Sequence, residues 1–121
     1  MDRIEEFTRE GKQIIYIDFS GLQSNEEISA LIAAAGPVIR KYPPKSVYTI
    51  TNFDHLHFNK DSKELVTPYT EANKPHVKAG VIIGIDGLKK IMANTIFSVS
   101  GRSDLTIKAS KEEAIEHLLS L

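Results

Sequence analysis

The sequence predicts a single α/β domain spanning residues 1–121, with a mainly parallel or mixed sheet of about four to five strands and about four helices. Short runs rich in isoleucine and valine alternate with longer segments whose apolar residues recur every three or four positions. Helix-capping patterns begin several of the longer segments. We therefore expect mostly parallel strands joined by right-handed crossovers.

The chain is predicted to open with a β-hairpin. Residues 14–19 form a β-branched run typical of a buried strand. Residues 3–12 are predicted to include a short antiparallel partner strand, which turns at Glu10 and Gly11.

The first helix is predicted to start at a capping box, in which the side chains of Ser24 and Glu27 each accept the other residue's free backbone amide. Its inward stripe comprises Ile28, Leu31, Ile32, Ala35, Ile39 and Tyr42. Pro37 has no amide to donate to the carbonyl one turn earlier, so we expect it to kink or divide the helix.

A second strand and helix follow. Residues 45–53 alternate as a strand, in which Val47, Thr49 and Thr51 face one way and Tyr48 and Ile50 face the other. Asp61 and Glu64 indicate the cap of the next helix. Its apolar stripe is interrupted by Pro68 and comprises Leu65, Val66, Tyr69 and Ala72.

The C-terminal part predicts a strand at 77–85, a helix, a short edge strand at 104–108 and a final helix. The first of these helices has an inward stripe of Leu88, Ile91, Met92, Thr95, Ile96 and Val99. Ser110 and Glu113 form a second capping box. The final helix is predicted to turn inward Ala114, Ile115, Leu118 and Leu119.

Composition restricts the possible functions. The chain has no cysteine, which excludes disulfides and thiolate chemistry. Fifteen Lys and Arg against sixteen Asp and Glu give a net charge of −1, so no global field favours nucleic acid. The longest apolar run, residues 79–85, is far shorter than the ~20 residues that span a bilayer, and the N-terminus does not resemble a signal peptide. These features predict a soluble cytoplasmic protein without a cofactor.

Glycines in the strand 77–85 raise the question of a ligand groove. One face is predicted to carry Val77, Ala79, Val81, Ile83 and Ile85, whereas Gly80 and Gly84 leave the other nearly bare. A helix packed closely on the bare face is the favoured interpretation, and a ligand groove is the alternative. The spacing of Gly84 and Gly87 fits neither a Walker loop nor a dinucleotide turn, and Asp86 is predicted to cap the helix that follows.

Polar residues follow the predicted strands. Because the carboxyl ends of parallel strands meet at one edge, where ligands and partners often bind, this edge is a candidate binding site. Its residues are Asp18, Ser20, Asn52, Asp54 and Asp86. The same residue types also favour turns, so composition alone does not establish function.

Two other groups of residues are candidate sites. Asp54, His55 and His57 could approach a metal if their segment is extended, but no metal-binding motif supports them, and solvated loop residues are the favoured interpretation. Gly101 is predicted to end a helix in the left-handed conformation. Arg102 beside it could serve the helix carbonyls or, if exposed, bind a phosphate or carboxylate.

Several segments resemble the bacterial SpoIIAA-like family of small STAS/CRAL-TRIO-like domain proteins. They are "IIYIDFSG", "KSVYTITNF", "NKPHVKAGVIIGIDGLKKIM", "FSVSGR" and "KEEAIEHLL". The resemblance implies a STAS-like α/β fold in a family whose biochemical role is largely undefined. It also suggests a phosphorylatable serine at Ser62, although the Asp-Ser-Ser-Gly-like motif is incomplete after Asp61, and an ordinary first-turn helix residue is the favoured interpretation.

The leading hypothesis is a non-enzymatic regulatory or protein-binding module that uses the strand ends and neighbouring helix starts. The alternative is a small-molecule binder, for a lipid-like or anionic ligand, at the same edge or in the space beside the glycines. An enzyme using Asp18, Asp54 or a histidine is a third and weaker hypothesis, because no catalytic motif supports it. The edge strand 104–108 could also support a homodimer.

Overall fold

The computed structural model describes residues 3–57, 59–85 and 87–121, except for the side chains of Leu88, Lys89 and Met92. Over these residues the chain forms five strands and four helices, as the alternating pattern predicted. The strands are β1 (Ile4–Arg9), β2 (Lys12–Asp18), β3 (Val47–Asn52), β4 (Val77–Ile83) and β5 (Leu105–Ile107). The helices are α1 (Asn25–Arg40), α2 (Lys60–Asn73), α3 (Gly87–Val99) and α4 (Lys111–Leu119). No described helix is long and apolar enough to cross a bilayer.

The strands form one mixed sheet in the order β1-β2-β3-β4-β5. β1 pairs with β2 in antiparallel fashion, and the later pairs are parallel. Glu10 and Gly11 join β1 to β2 with φ angles of 52° and 80°. Positive φ at both central residues is the hairpin geometry that matches the twist of the strands. The predicted hairpin is therefore confirmed, with its turn at the predicted residues.

Both faces of the sheet are buried. On one face, side chains from α1, α2 and α3, among them Leu31, Val66 and Ile96, pack on Ile15 and Ile17. On the other face, Ala114 and Leu118 of α4 pack against a second apolar cluster from the central strands. Fully burying an aliphatic side chain stabilises a fold by about 1.5–3 kcal/mol, so these layers hold the sheet between its helices.

The helix starts agree with the sequence prediction in one case and differ in another. Ser24 and Glu27 form the predicted capping box of α1. At α2 the predicted cap is wrong, because Asn59 is the N-cap and exchanges hydrogen bonds with Ser62. Ser62 fits this role because its short hydroxyl reaches back to the Asn59 amide from the third helical position.

Pro37 does not divide α1, which continues from Asn25 to Arg40. Its ring faces solvent, while the buried residues Ala35 and Ile39 on either side keep the helix seated on the core. In α2 the inward stripe also differs from the prediction, since Ala72 is exposed and Asn73 is buried.

A register shift changes the faces of β4. Val77 pairs with Val47, but the next pair joins Tyr48 to Ala79, so Lys78 is an extra residue in the strand. A bulge of this kind reverses the alternation of side chains at that point. Val77 therefore packs under the three helices with Ile82, and the prediction that it shares a face with Val81 is wrong.

The contact between β1 and the end of α1 gives a pH-dependent prediction. The Tyr42 hydroxyl donates a hydrogen bond of 2.5 Å to Glu6, and Lys41 lies 3.0 Å from the same carboxylate. These contacts, that of Tyr42 foremost, lower the pKa of Glu6 from 4.5. A lowered folded-state pKa adds stability above the unfolded value, and that stability is lost as the pH falls through the folded value.

We therefore expect Tyr42→Phe to be less stable than the wild type at pH 7 and to converge with it as the pH falls below about 4. Urea denaturation at pH 7, 5 and 3 measures this difference. A stability gap that stays constant over the three pH values would contradict the assignment to the Glu6 contact.

Candidate functional site

Four of the predicted binding residues lie at the carboxyl ends of β2 and β3. We call Asp18, Ser20, Asn52 and Asp54 the strand-end cluster. Asp18 and Asn52 are register partners in the parallel pair β2–β3. Ser20 and Asp54 each follow two residues later, and the Gly21 amide donates to the Asp54 carbonyl at 2.9 Å, which joins the two loops. The structure thus brings these predicted residues together, and Asp86 lies outside the described residues.

The two strands of the cluster end in the same way. Asp18 accepts a hydrogen bond from the Ser20 amide at 2.8 Å, and Asn52 accepts one from the Asp54 amide at 2.9 Å. Asp and Asn side chains commonly stabilise turns by accepting from a backbone amide two residues ahead. The predicted binding groups therefore order their own loops.

Tyr16 also belongs to this edge, although no sequence pattern indicated it. The amide of Asn52 donates to the Tyr16 hydroxyl at 3.1 Å, and the Lys111 ammonium lies 4.3 Å from the centre of the Tyr16 ring. Burial raises the pKa of the Tyr16 phenol, and the Asp18 carboxylate raises it further. The phenol thus stays protonated at neutral pH and is suited to hydrogen bonding and cation–π contact.

Arg3, the residue before β1, contacts the cluster. Its guanidinium donates to the carbonyl oxygens of Asp18 at 3.0 Å and Ser20 at 2.8 Å. The Asp18 carboxylate is 4.0 Å from the same guanidinium group. This edge is thus a surface of partly exposed polar groups held by contacts within the chain.

The histidines near the cluster lie in an exposed turn. His55 has a φ of 54°, and its ring nitrogen is 3.1 Å from Asp54. The His57 ring lies 3.4 Å from the Asn59 side chain. Among the residues that the structure describes, no three His, Asp or Glu side chains are grouped to hold a metal ion.

The two glycines of the bare face are explained by close packing. A Cβ on Gly84, whose φ is +79°, would lie 2.5 Å from the backbone nitrogen of Asp54. A Cβ on Gly80 would lie 2.5 Å from Leu105 and 2.8 Å from the Thr49 hydroxyl. The favoured packing interpretation is correct, but the expected neighbour is wrong: a loop and two strand side chains fill the space, rather than a helix.

Arg102 is not an exposed anion-binding residue. Its side chain is 3% exposed and forms a two-bond ion pair with Asp104, at 2.7 Å for each bond. It also donates to the Thr70 carbonyl of α2 at 2.9 Å. Since β5 runs parallel to β4 and starts just after Asp104, this pair lies toward the opposite end of the sheet from the strand-end cluster.

Gly101 ends α3 in the predicted left-handed conformation, with a φ of 69°. Its amide donates to the carbonyl of Ser98, and the amide of Arg102 donates to the carbonyl of Phe97. These two bonds form the Schellman motif. The motif turns the chain inward and delivers the Arg102 side chain to the interior.

Ser62 is fully buried. Its hydroxyl lies within hydrogen-bond distance of Asn25 at 3.1 Å, the His57 carbonyl at 3.3 Å and Asn59 at 3.2 Å. A phosphate here would have to displace these contacts, which join the starts of α1 and α2. The observed role is that of a first-turn helix residue.

The outer face of α3 is the clearest departure from the predicted packing. Ile91, Thr95 and Val99 were expected to face inward, but all three are exposed, with Ile91 at 63% and Val99 at 65%. Ile96 is buried as predicted and Ala93 is buried as well, whereas the side chains of Leu88 and Met92 lie outside the described residues. We call Ile91, Thr95 and Val99, which recur every four residues along one side of the helix, the α3 outer face.

A narrow sheet explains this arrangement. β5 contributes only three residues beside β4, so only a narrow side of α3 can pack on the sheet. Asn94 and Ser98 flank the α3 outer face and are also exposed and uncharged. Two large aliphatic side chains are therefore presented to solvent on this side of α3, with the exposed Lys90 next to Ile91.

No protein-family model matches the chain, and no curated protein is significantly similar to it.

Proposed function

We propose that this chain is a non-enzymatic regulatory or protein-binding module with a STAS-like fold, which contacts its partner through the α3 outer face and the adjoining strand-end cluster. The observation that carries the proposal is the exposure of Ile91 and Val99 on one side of α3. Exposed aliphatic residues grouped on one element, rather than scattered, mark surfaces that proteins use for association.

The position of α3 supports the proposal. The helix starts at Gly87, three residues after Gly84, which packs against the turn at Asp54. The start of α3 and the strand-end cluster therefore share one edge of the sheet. A partner that covers the aliphatic residues of α3 can extend polar contacts to this edge, in the usual pattern of an apolar centre with a polar rim.

The size of the apolar surface favours a transient contact. Two aliphatic residues on one helix are fewer than an obligate interface buries, and transient signalling contacts bury less than about 1,200 Å². A reversible regulatory interaction fits this scale. The sequence resemblance implies a STAS-like α/β fold. The mixed five-stranded sheet and the four helices of the described chain support this assignment.

The small-molecule alternative has less support. The space beside Gly80 and Gly84 is filled by Thr49, Leu105 and the backbone of Asp54. The cavity between the sheet and helices α2 and α3 has a volume of only about 30 Å³. A lipid-like ligand would need a far larger opening.

The proposal is tested by capturing partners from native extract with the immobilised chain and with the double variant Ile91→Glu/Val99→Glu. We expect the wild type to retain a protein that the double variant loses, because a carboxylate cannot be desolvated against an apolar partner surface. Leu121→Glu is the matched control, since Leu121 is 58% exposed but lies outside α3. Equal retention by all three chains would contradict the proposal.

Light scattering of the purified chain completes the test. A dimer that the double variant abolishes would identify the partner as a second copy of the chain, bound by the same face. A dimer unaffected by the double variant, together with no α3-dependent capture, would overturn the assignment of this surface.

A further inference from the structure

A small cavity lies between the sheet and α2 and α3. Its volume, measured as the space open to the centre of a water molecule, is about 30 Å³. Ile82, Ala93 and Phe97 contribute to an apolar wall. The polar residues of the lining are Thr49, Thr51, Tyr69, Thr70, Asn73 and Arg102. Because the centre of a water molecule can occupy this space, the cavity has room for ordered water.

The Tyr69 hydroxyl is the unusual group in this lining. It is fully buried, and no described protein group meets it with hydrogen-bond geometry. Burial raises the pKa of the phenol, although an Asn73 contact that falls short of good hydrogen-bond geometry and the charges of Arg40 and Arg102 oppose this rise. An unpaired buried hydroxyl costs roughly 1–3 kcal/mol, so native proteins nearly always satisfy such a group.

The polar neighbours of Tyr69 are fixed by other bonds. Asn73 accepts from Arg40 at 2.9 Å, and the Thr70 hydroxyl donates to the Val66 carbonyl at 3.0 Å. Arg102 is held by Asp104 and by the Thr70 carbonyl. The Asn73 side-chain oxygen, the Thr70 hydroxyl and the Arg102 guanidinium are therefore already engaged in bonds with other groups.

We propose that this cavity is a specific binding site for ordered water, and that a water molecule in it hydrogen-bonds to the Tyr69 hydroxyl and to polar groups of the same lining. Buried waters typically make two to four hydrogen bonds to polar groups that would otherwise be unsatisfied, whereas wholly apolar cavities stay dry. This inference concerns the interior of the fold and does not depend on the protein-binding proposal.

The direction in which one substitution changes the melting temperature tests the proposal. If a water bonds to the hydroxyl, Tyr69→Phe removes a satisfied group, and we expect the melting temperature to fall by about 3–6 °C. If the cavity is dry, the same substitution removes an unsatisfied hydroxyl and raises the melting temperature. Tyr48→Phe is the matched control, because Tyr48 is buried against the other face of the sheet, away from this cavity.

A crystal structure at about 1.5 Å resolution gives the direct measurement. We expect density for a water within hydrogen-bond distance of the Tyr69 oxygen, about 2.5–3.0 Å. A cavity without such density overturns the proposal, even if the melting temperature of Tyr69→Phe falls. An unchanged or raised melting temperature relative to the wild type also overturns it.

Discussion

Replacing Arg102 with alanine is expected to lower the free energy of unfolding by about 3–5 kcal/mol, the range found when one partner of a buried ion pair is removed. The guanidinium is 3% exposed and Asp104 is 17% exposed, so the remaining carboxylate would be left largely desolvated and without its partner. The Thr70 carbonyl of α2 would lose a donor as well. The Arg102 side chain thus links α2 to the loop between α3 and β5.

Urea denaturation at pH 7 measures this loss. The matched control is Lys41→Ala, which removes the ion pair to Glu6, where the two side chains are 54% and 35% exposed. Exposed pairs of this kind contribute about 0–1 kcal/mol, so the control should remain close to the wild type. If the Arg102→Ala variant were as stable as the Lys41→Ala variant, the buried ion pair would not be important for the stability of the fold.

Gly84→Ala is expected to destabilise the protein by about 2–5 kcal/mol. The left-handed backbone at φ +79° costs a non-glycine residue about 1–2 kcal/mol. The added methyl group would also lie 2.5 Å from the backbone nitrogen of Asp54, and overpacking costs a further 1–3 kcal/mol or so. Backbone cannot move aside as a flexible side chain can.

Gly21→Ala separates the two contributions. Gly21 has a φ of +72°, but a Cβ there would meet nothing within 4 Å, so this variant carries the backbone cost alone. Chemical denaturation of both variants should show a greater loss at position 84. Equal losses would mean that the loop moves away from Gly84, and that the glycine is not there for close packing.

Local patterns in the sequence were sufficient for most of the fold. The hairpin at Glu10 and Gly11 and the capping box of Ser24 and Glu27 were predictable because each depends on residues a few positions apart. The bulge beside Val77 was not predictable, because it arises from pairing with β3, thirty residues earlier in the chain. One extra residue in a strand reverses the faces, and no local signal reveals it.

The candidate site was less accessible from sequence. Asp18 and Asn52 could be placed together because parallel strands end at one edge. The sequence left open whether they bind a ligand or serve turns, and the structure shows that both side chains accept hydrogen bonds within their own turns. Arg102 was predicted to serve the carbonyls of its helix or, if exposed, to bind an anion. Its burial with Asp104 comes from tertiary packing, which no local pattern reveals. In α3 the apolar residues are distributed on two sides, so the periodicity alone could not decide which side faces the sheet.

The most direct test of the protein-binding proposal is the affinity of the captured partner for the chain, measured by titration calorimetry. We expect Ile91→Glu/Val99→Glu to bind the partner about 30- to 1,000-fold more weakly than the wild type, since two apolar contacts of roughly 1–2 kcal/mol each would be lost. Leu121→Glu should bind as the wild type does. A dissociation constant that is the same for the double variant and the wild type would contradict the assignment of α3 as the binding surface.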